Sequence, residues 1–128
     1  MALVAMNHFL ARGSGHLVGI SSAAAHFSGG LTLTYNATKA YVSSYLRGMR
    51  SRAIRSKLPI TVTTVEPGFV ATPMVEGEPI WLATVEKGVS QMVAAIEGKK
   101  NHVFITKRWR LVAWLLYIVP DALIRRLV

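Results

Sequence analysis

Three short apolar runs alternate with longer helical patterns along this chain of 128 residues. The runs at 16–21, 60–65 and 102–106 are bounded by turn residues, and the second is β-branched throughout, which is typical of buried strands. Helical patterns precede the first run, at 1–12, and separate the runs from one another, at 33–58 and 81–97. Strands that alternate with helices of this length predict an α/β fold with a parallel sheet of about three strands.

Glycine and proline mark the ends of these predicted elements. Gly29-Gly30 breaks the chain before the second helix, and Pro59 ends that helix. Ser21-Ser22 and Glu66-Pro67-Gly68 follow the first two strands, and Tyr35 lies at the start of the helix that connects them. Because ligands of open parallel sheets bind beyond the carboxyl ends of the strands, we expect a functional site at this edge.

Tyr35 and Lys39 are separated by one helical turn. Residues i and i+4 of a helix project from the same face, so a phenol and an ammonium group would lie side by side. A neighbouring cation stabilises a phenolate, which makes Tyr35 a candidate general acid or base. The alternative is an ordinary amphipathic helix that carries this pair by chance.

Composition excludes some kinds of site. The chain has no cysteine, so disulfides and thiolate metal sites are ruled out, and this fits a reducing, cytoplasmic setting. The net charge of +9 comes mainly from two basic stretches, 47–57 and 99–126, but no nucleic-acid-binding signature accompanies them, so nucleic acid is not an expected partner. No metal site is expected, because metal-ligand spacing is absent among the histidines at positions 8, 16, 26 and 102.

Three motifs in this order resemble the short-chain dehydrogenase/reductase superfamily. They are Gly15-x-Leu-Val-x-Ile-Ser-Ser22, Tyr35-x-x-x-Lys39 with Ser22 thirteen positions before the tyrosine, and Pro67-Gly68-Phe-Val-x-Thr72. The resemblance implies a Rossmann-like, doubly wound parallel sheet. It also implies an oxidoreductase that interconverts a carbonyl and an alcohol with NAD(P), by hydride transfer.

The resemblance also assigns roles to individual residues. Ser22 would bind the substrate oxygen, Tyr35 would donate or accept the proton, and Lys39 would hold the nicotinamide ribose and favour the ionised tyrosine. Such preplaced donors suit the negative charge that hydride transfer leaves on oxygen. The remaining cofactor-binding residues would be Pro67, Gly68, Val70 and Thr72.

Substrate contacts are expected from His26, Met74 and Trp81. The apolar loop that contains Met74 and Trp81 indicates an apolar carbonyl or alcohol substrate, and ordinary packing of these side chains is the equal alternative. Ser21, beside Ser22, is interpreted as a residue that binds backbone groups at the strand end.

The family pattern is incomplete in this chain. Its glycine-rich T-G-x-x-x-G-x-G turn, which seats the pyrophosphate, is absent, and Asn7 lies too close to Ser22 to be the family's catalytic asparagine. We therefore interpret residues 1–106 as the carboxyl-terminal, catalytic half of such a domain, a fragment that is expected to be inactive alone. The choice between NAD and NADP stays open. A non-catalytic, membrane-associated pseudoenzyme on the same scaffold is the alternative.

The segment 107–128 forms an apolar and basic tail. Its uncharged run, 111–119, is too short to span a bilayer, but tryptophans and flanking arginines suit a helix at a membrane surface. The equal alternative is a helix that packs over the active site or against a partner subunit. The protein is expected in the cytoplasm, possibly peripheral at the membrane. We also expect a homodimer through the helices at 1–12 and 33–58.

Overall fold

The computed structural model describes residues 1–27, 32–73, 79 and 81–118, with side chains described up to residue 115. Helices and strands alternate along the chain, which confirms the predicted α/β class. In chain order they are α1 (Ala2–Arg12), β1 (Gly15–Ile20), a short 3-10 helix (Ala23–His26), α2 (Leu33–Ser56), β2 (Ile60–Pro67), α3 (Val85–Glu97), β3 (His102–Ile105) and α4 (Trp109–Ile118).

The three strands form one parallel sheet in the order β1-β2-β3. β1 pairs with β2 from Gly15 opposite Ile60 onward, and β3 joins the other edge of β2 with His102 opposite Thr64. Five consecutive residues of the central strand, from Val62 to Glu66, are buried. This parallel arrangement brings the carboxyl ends of all three strands to one edge, as predicted.

Some boundaries differ from the predictions for physical reasons. The third helix begins at Val85 rather than at 81, because Ala83 forms a parallel bridge with Val70 and the Thr84 hydroxyl caps the helix by accepting a hydrogen bond from the Lys87 N–H. α2 ends at Ser56, before Pro59, where Lys57 takes the left-handed conformation that closes a helix.

The predicted start of α2 is confirmed in position. Thr32 is the N-cap residue, and its hydroxyl donates to the side-chain oxygen of Asn36 rather than binding a backbone N–H. α1 has no side-chain cap at Met1. The predicted break at Gly29-Gly30 lies outside the described residues.

The main hydrophobic core lies between α1, α2 and the sheet. It joins one residue of α1, three of α2 and one of the central strand: Met6, Leu46, Met49, Ala53 and Val62. Gly19 of β1 allows close approach here, because a Cβ at this position would overlap the Leu46 side chain. This core fixes α2, and with it the residues near its start, against the carboxyl edge of the sheet.

The tail prediction is only partly within the described residues. α4 covers 109–118, and everything from 119 onward lies outside them. Ala113 is buried, whereas Leu111, Trp114 and Leu115 are exposed. Among the helices of the described segments, none combines the length and the apolar character that a membrane crossing needs.

Candidate active site

A cavity of about 1000 Å³ opens at the carboxyl edge of the sheet. Its lining comes from the ends of β1 and β2, the start of α2, one side of α3 and the start of α4, and most of it is apolar. The lining residues are Ile20, Ser21, Ser22, Ala24, Phe27, Thr32, Tyr35, Asn36, Lys39, Pro67, Gly68, Phe69, Val70, Thr72, Val85, Val89, Met92 and Trp109. Ser22, Tyr35 and Lys39, predicted as the catalytic residues, are all among them.

Ser22 is held at the end of β1 by the short helix that follows it. Its side-chain oxygen caps this helix by accepting a hydrogen bond from the Ala24 N–H at 3.1 Å. The same hydroxyl donates a long hydrogen bond of 3.3 Å to the Pro67 carbonyl oxygen. Ser22 is therefore tied to the turn that ends β2, and within the described part of the chain its hydroxyl hydrogen has one acceptor, at a long distance.

Tyr35 and Lys39 lie in the first turns of α2, on one face of the helix. The Lys39 Nζ lies 5.6 Å from the centre of the Tyr35 ring, within the range of a cation–π contact. The Tyr35 side chain is 41% exposed, so its phenol is accessible from the cavity. The expected side-by-side arrangement of phenol and ammonium is therefore present.

The turn after β2 contributes the four predicted cofactor-binding residues of that segment. Pro67, Gly68, Val70 and Thr72 all line the cavity. The Gly68 N–H donates to the Ile105 carbonyl oxygen of β3, and the Thr72 N–H donates to the Val70 carbonyl oxygen at 2.7 Å. These backbone contacts fix the turn against the third strand.

The predicted substrate residues do not all reach the cavity. The His26 imidazole is turned to Glu66, with Nε2 2.7 Å from a carboxylate oxygen, and His26 is not part of the lining. Trp81 contacts Trp109 edge to face at 5.7 Å and is likewise absent from the lining. Met74 lies outside the described residues.

Trp109 is a lining residue that the sequence reasoning missed. Its indole is 7% exposed and is contacted edge-on by three aromatic rings, those of Phe27, Phe69 and Trp81. Its position three residues after the third strand was the available signal, since that strand ends at the same edge as the other two. Within the described residues, no acceptor is found for its buried Nε1–H.

A buried carboxylate lies behind the cavity. Glu66, the residue before Pro67, is 1% exposed, and one of its oxygens lies 2.7 Å from His26 Nε2 and 2.9 Å from His102 Nε2. Burial raises the pKa of Glu66, but hydrogen bonds from His102, His26 and Ser43 and the charge of His102 outweigh burial and lower this pKa to about 2. Glu66 is therefore ionised at neutral pH.

Arg50 of α2 contacts the middle of the same strand. It donates to the Val62 carbonyl oxygen at 3.1 Å and to the Thr64 hydroxyl at 2.7 Å. Burial lowers the pKa of Arg50, and the negative charge of Glu66 partly offsets this effect.

The sequence profile of the short chain dehydrogenases matches residues 1–83, which is more than half of the chain. The chain belongs to the short-chain dehydrogenase family. The resemblance inferred from the three motifs is thereby confirmed.

Individual relatives agree with this assignment. An uncharacterized oxidoreductase of Mycobacterium tuberculosis is 35% identical over 126 residues, which cover 95% of this chain and 49% of the relative. This short-chain dehydrogenase therefore spans about half the length of the curated relative that it matches.

Solved structures confirm the Rossmann-like fold. A short-chain dehydrogenase from Burkholderia cenocepacia, in complex with NADP, superposes with a TM-score of 0.75 at 24% identity. The superposition covers 99% of this chain and 54% of the Burkholderia chain. A short-chain dehydrogenase from Sphingobium yanoikuyae, in complex with NADPH, gives a TM-score of 0.72 at 19% identity, with 94% and 52% covered.

Proposed function

We propose that this short-chain dehydrogenase interconverts a carbonyl and an alcohol with NAD(P), and that Tyr35 transfers the proton. The observation that carries the proposal is the meeting of Ser22, Tyr35 and Lys39 on one cavity wall, beside the Pro67-Gly68 turn. Hydride transfer to a carbonyl leaves negative charge on oxygen, so the site needs a hydrogen-bond donor and a proton source near that oxygen.

Each of the three polar residues has a separate task. The Ser22 hydroxyl, which among the described residues donates only to the Pro67 carbonyl oxygen at 3.3 Å, turns to donate to the substrate oxygen. Tyr35 gives its phenolic proton to that oxygen in reduction and removes it in alcohol oxidation. Lys39, 5.6 Å from the ring centre, stabilises the phenolate by its charge.

The residues of the β2 turn fit a nicotinamide. Pro67, Gly68, Val70 and Thr72 would hold it, and the buried Trp109 N–H, which has no acceptor among the described residues, offers it or the substrate a hydrogen bond. The cofactor supplies or accepts the hydride when it is bound. Lys39 would also hold the ribose hydroxyls.

The substrate is proposed to be apolar. Phe27, Phe69, Val89 and Met92 line the cavity around the polar residues. A few convergent polar groups in an apolar wall are typical of small-molecule sites, in which the polar groups fix the orientation of the ligand.

The test is Tyr35→Phe in the full-length protein, assayed by nicotinamide absorbance with a panel of aliphatic and aromatic ketones and alcohols. Loss of the proton donor is expected to lower kcat by about 100-fold or more. Tyr41→Phe is the matched control, because Tyr41 lies on the same helix, is exposed and is absent from the cavity lining. Near-normal turnover in Tyr35→Phe would overturn the mechanism. Failure of the wild type to bind NAD(P) in calorimetry would favour the pseudoenzyme.

We also propose that two copies pair through the helices at 1–12 and 33–58. Leu3 and Val4 of α1 are exposed, and Tyr41 and Tyr45 of α2 are exposed and stack at 5.9 Å. Covering these apolar side chains would remove them from water. Sedimentation equilibrium tests this pairing, and a Tyr45→Glu variant is expected to shift the protein to monomer.

We propose that either a membrane surface or protein covers the apolar side of the tail at 107–128. Leu111, Trp114 and Leu115 of α4 are exposed, and Arg108 and Arg110 flank them. Flotation with anionic liposomes separates the two occupants, since only the membrane surface predicts binding that salt weakens.

A further inference from the structure

We propose that Glu66 and Ser43 are positioning residues, which hold the Lys39 turn of α2 against the end of β1. This inference rests on the proposed function, because it concerns the same Ser22, Tyr35 and Lys39 site. It adds residues behind the cavity wall that hold the segments of the site in fixed positions relative to one another.

A chain of hydrogen bonds connects Glu66 to the backbone of Lys39. Ser43 Oγ lies 2.6 Å from Glu66 Oε1 and 2.8 Å from Ser21 Oγ. The Ser21 hydroxyl in turn donates to the main-chain carbonyl of Lys39 at 2.8 Å. The end of β2 is thereby connected to α2 next to Lys39, and to β1 next to Ser22.

The other carboxylate oxygen of Glu66 connects two more segments to this chain of hydrogen bonds. Its partners are His26, from the short helix after Ser22, and His102, the first residue of β3. Glu66 itself precedes the Pro67-Gly68 turn. One carboxylate therefore contacts or connects to every segment that carries a predicted catalytic or cofactor-binding residue.

The connection between Glu66 and Ser21 depends on Ser43, because each serine hydroxyl has only one hydrogen to donate. An ionised carboxylate only accepts hydrogen bonds, so the single Ser43 hydrogen is donated to Glu66. The Ser21 hydrogen is donated to the Lys39 carbonyl oxygen, and the Ser21 oxygen lies 2.8 Å from Ser43 Oγ. Removing the Ser43 hydroxyl disconnects the carboxylate from Ser21, so the bond from Ser21 to the Lys39 carbonyl oxygen is no longer connected to the end of β2.

Among the described residues, the titratable groups around Glu66 come from three elements. His26 of the short helix and His102 of β3 lie within hydrogen-bond distance of it, and Arg50 of α2 interacts with it electrostatically. Ser43 is the only partner without a titratable side chain among the described residues that bind this carboxylate. A Ser43 substitution thus tests the link without removing a charge.

The experiment compares Ser43→Ala, Ser43→Thr and Ser44→Ala in the full-length protein. Ser43→Ala is expected to lower kcat by about 10-fold to 100-fold and to raise KM for the cofactor, because small displacements of reacting groups are costly. The pH dependence of kcat is expected to differ from that of the wild type. Ser43→Thr keeps the hydroxyl and is expected to restore activity, and the exposed Ser44 is the matched control.

Wild-type kcat, cofactor KM and pH profile in Ser43→Ala would overturn the inference. Hydrogen exchange of the peptide 35–45 gives a readout that is independent of activity. Faster exchange in Ser43→Ala than in Ser44→Ala supports the link, and equal exchange overturns it. If the wild type shows no nicotinamide-dependent turnover, the proposed function fails, while the exchange comparison still decides whether Ser43 positions the Lys39 turn.

Discussion

The ammonium nitrogen of Lys39 lies 5.6 Å from the centre of the Tyr35 ring, one helical turn away on α2. Both side chains line the same cavity, and neither makes an ion pair with a carboxylate among the described residues. The positive charge of Lys39 is therefore not neutralised by a described carboxylate. The contact that the structure describes for the Lys39 ammonium group is the one with the Tyr35 ring.

Lys39→Met tests this relationship, since Met keeps the length and apolar stem of Lys without its charge. We expect kcat/KM to fall by about 100-fold or more, because both the charge beside the phenol and the ribose contact are lost. KM for the cofactor should rise as well. Lys87→Met, at an exposed position of α3, is the control and should behave as the wild type. Equal activity of the two variants would contradict the role of Lys39.

The stability of the protein should depend on pH through Glu66. Its pKa falls from an ordinary 4.5 to about 2 in the folded state, because hydrogen bonds from His102, His26 and Ser43 outweigh the effect of burial. The folded state therefore binds this proton less tightly than the unfolded state does. The ionised carboxylate stabilises the fold by about 3 kcal/mol above pH 5, and this contribution is lost as the pH falls toward 2.

Urea unfolding at intervals from pH 7 to pH 3 measures this loss. Glu66→Gln is the matched variant, since its side chain has the same size but cannot ionise. Its free energy of unfolding is expected to fall less steeply with acid than that of the wild type. Parallel curves for the two proteins would show that Glu66 is not the responsible group.

Two local signals in the sequence predict the site residues: the spacing of residues along a helix and the ends of strands. Tyr35 and Lys39 lie one turn apart on a helix, and Ser22 and Pro67 end strands, so the parallel topology alone brings them to one edge. Glu66 and its partners have no such signature. His26 lies 40 positions before Glu66 and bonds to it only because the end of β1 is next to β2 in the sheet.

The same reason explains why His26 is not part of the cavity lining. Its closeness to Ser22 in sequence indicated a place in the substrate pocket, but the short helix at Ala23–His26 turns the imidazole toward the buried carboxylate. The start of α3 was also misplaced. The apolar residues Trp81 and Leu82 suit a helix by composition, whereas the bridge between Val70 and Ala83 holds this segment extended.

The packing of Gly68 against Trp109 gives the last prediction. A Cβ on Gly68 would overlap the indole ring, so Gly68→Ala must displace Trp109 from its place on the β2 turn. We expect a loss of about 1–3 kcal/mol in the free energy of unfolding and weaker cofactor binding, because both residues line the cavity. Gly48→Ala is the matched control. Gly48 lies within α2 with open space around it, so alanine there should stabilise the fold by about 0.5–1 kcal/mol. Thermal or urea unfolding of both variants, with calorimetric titration of NAD(P), measures the contrast, and an unchanged Gly68→Ala protein would exclude the close contact with the indole.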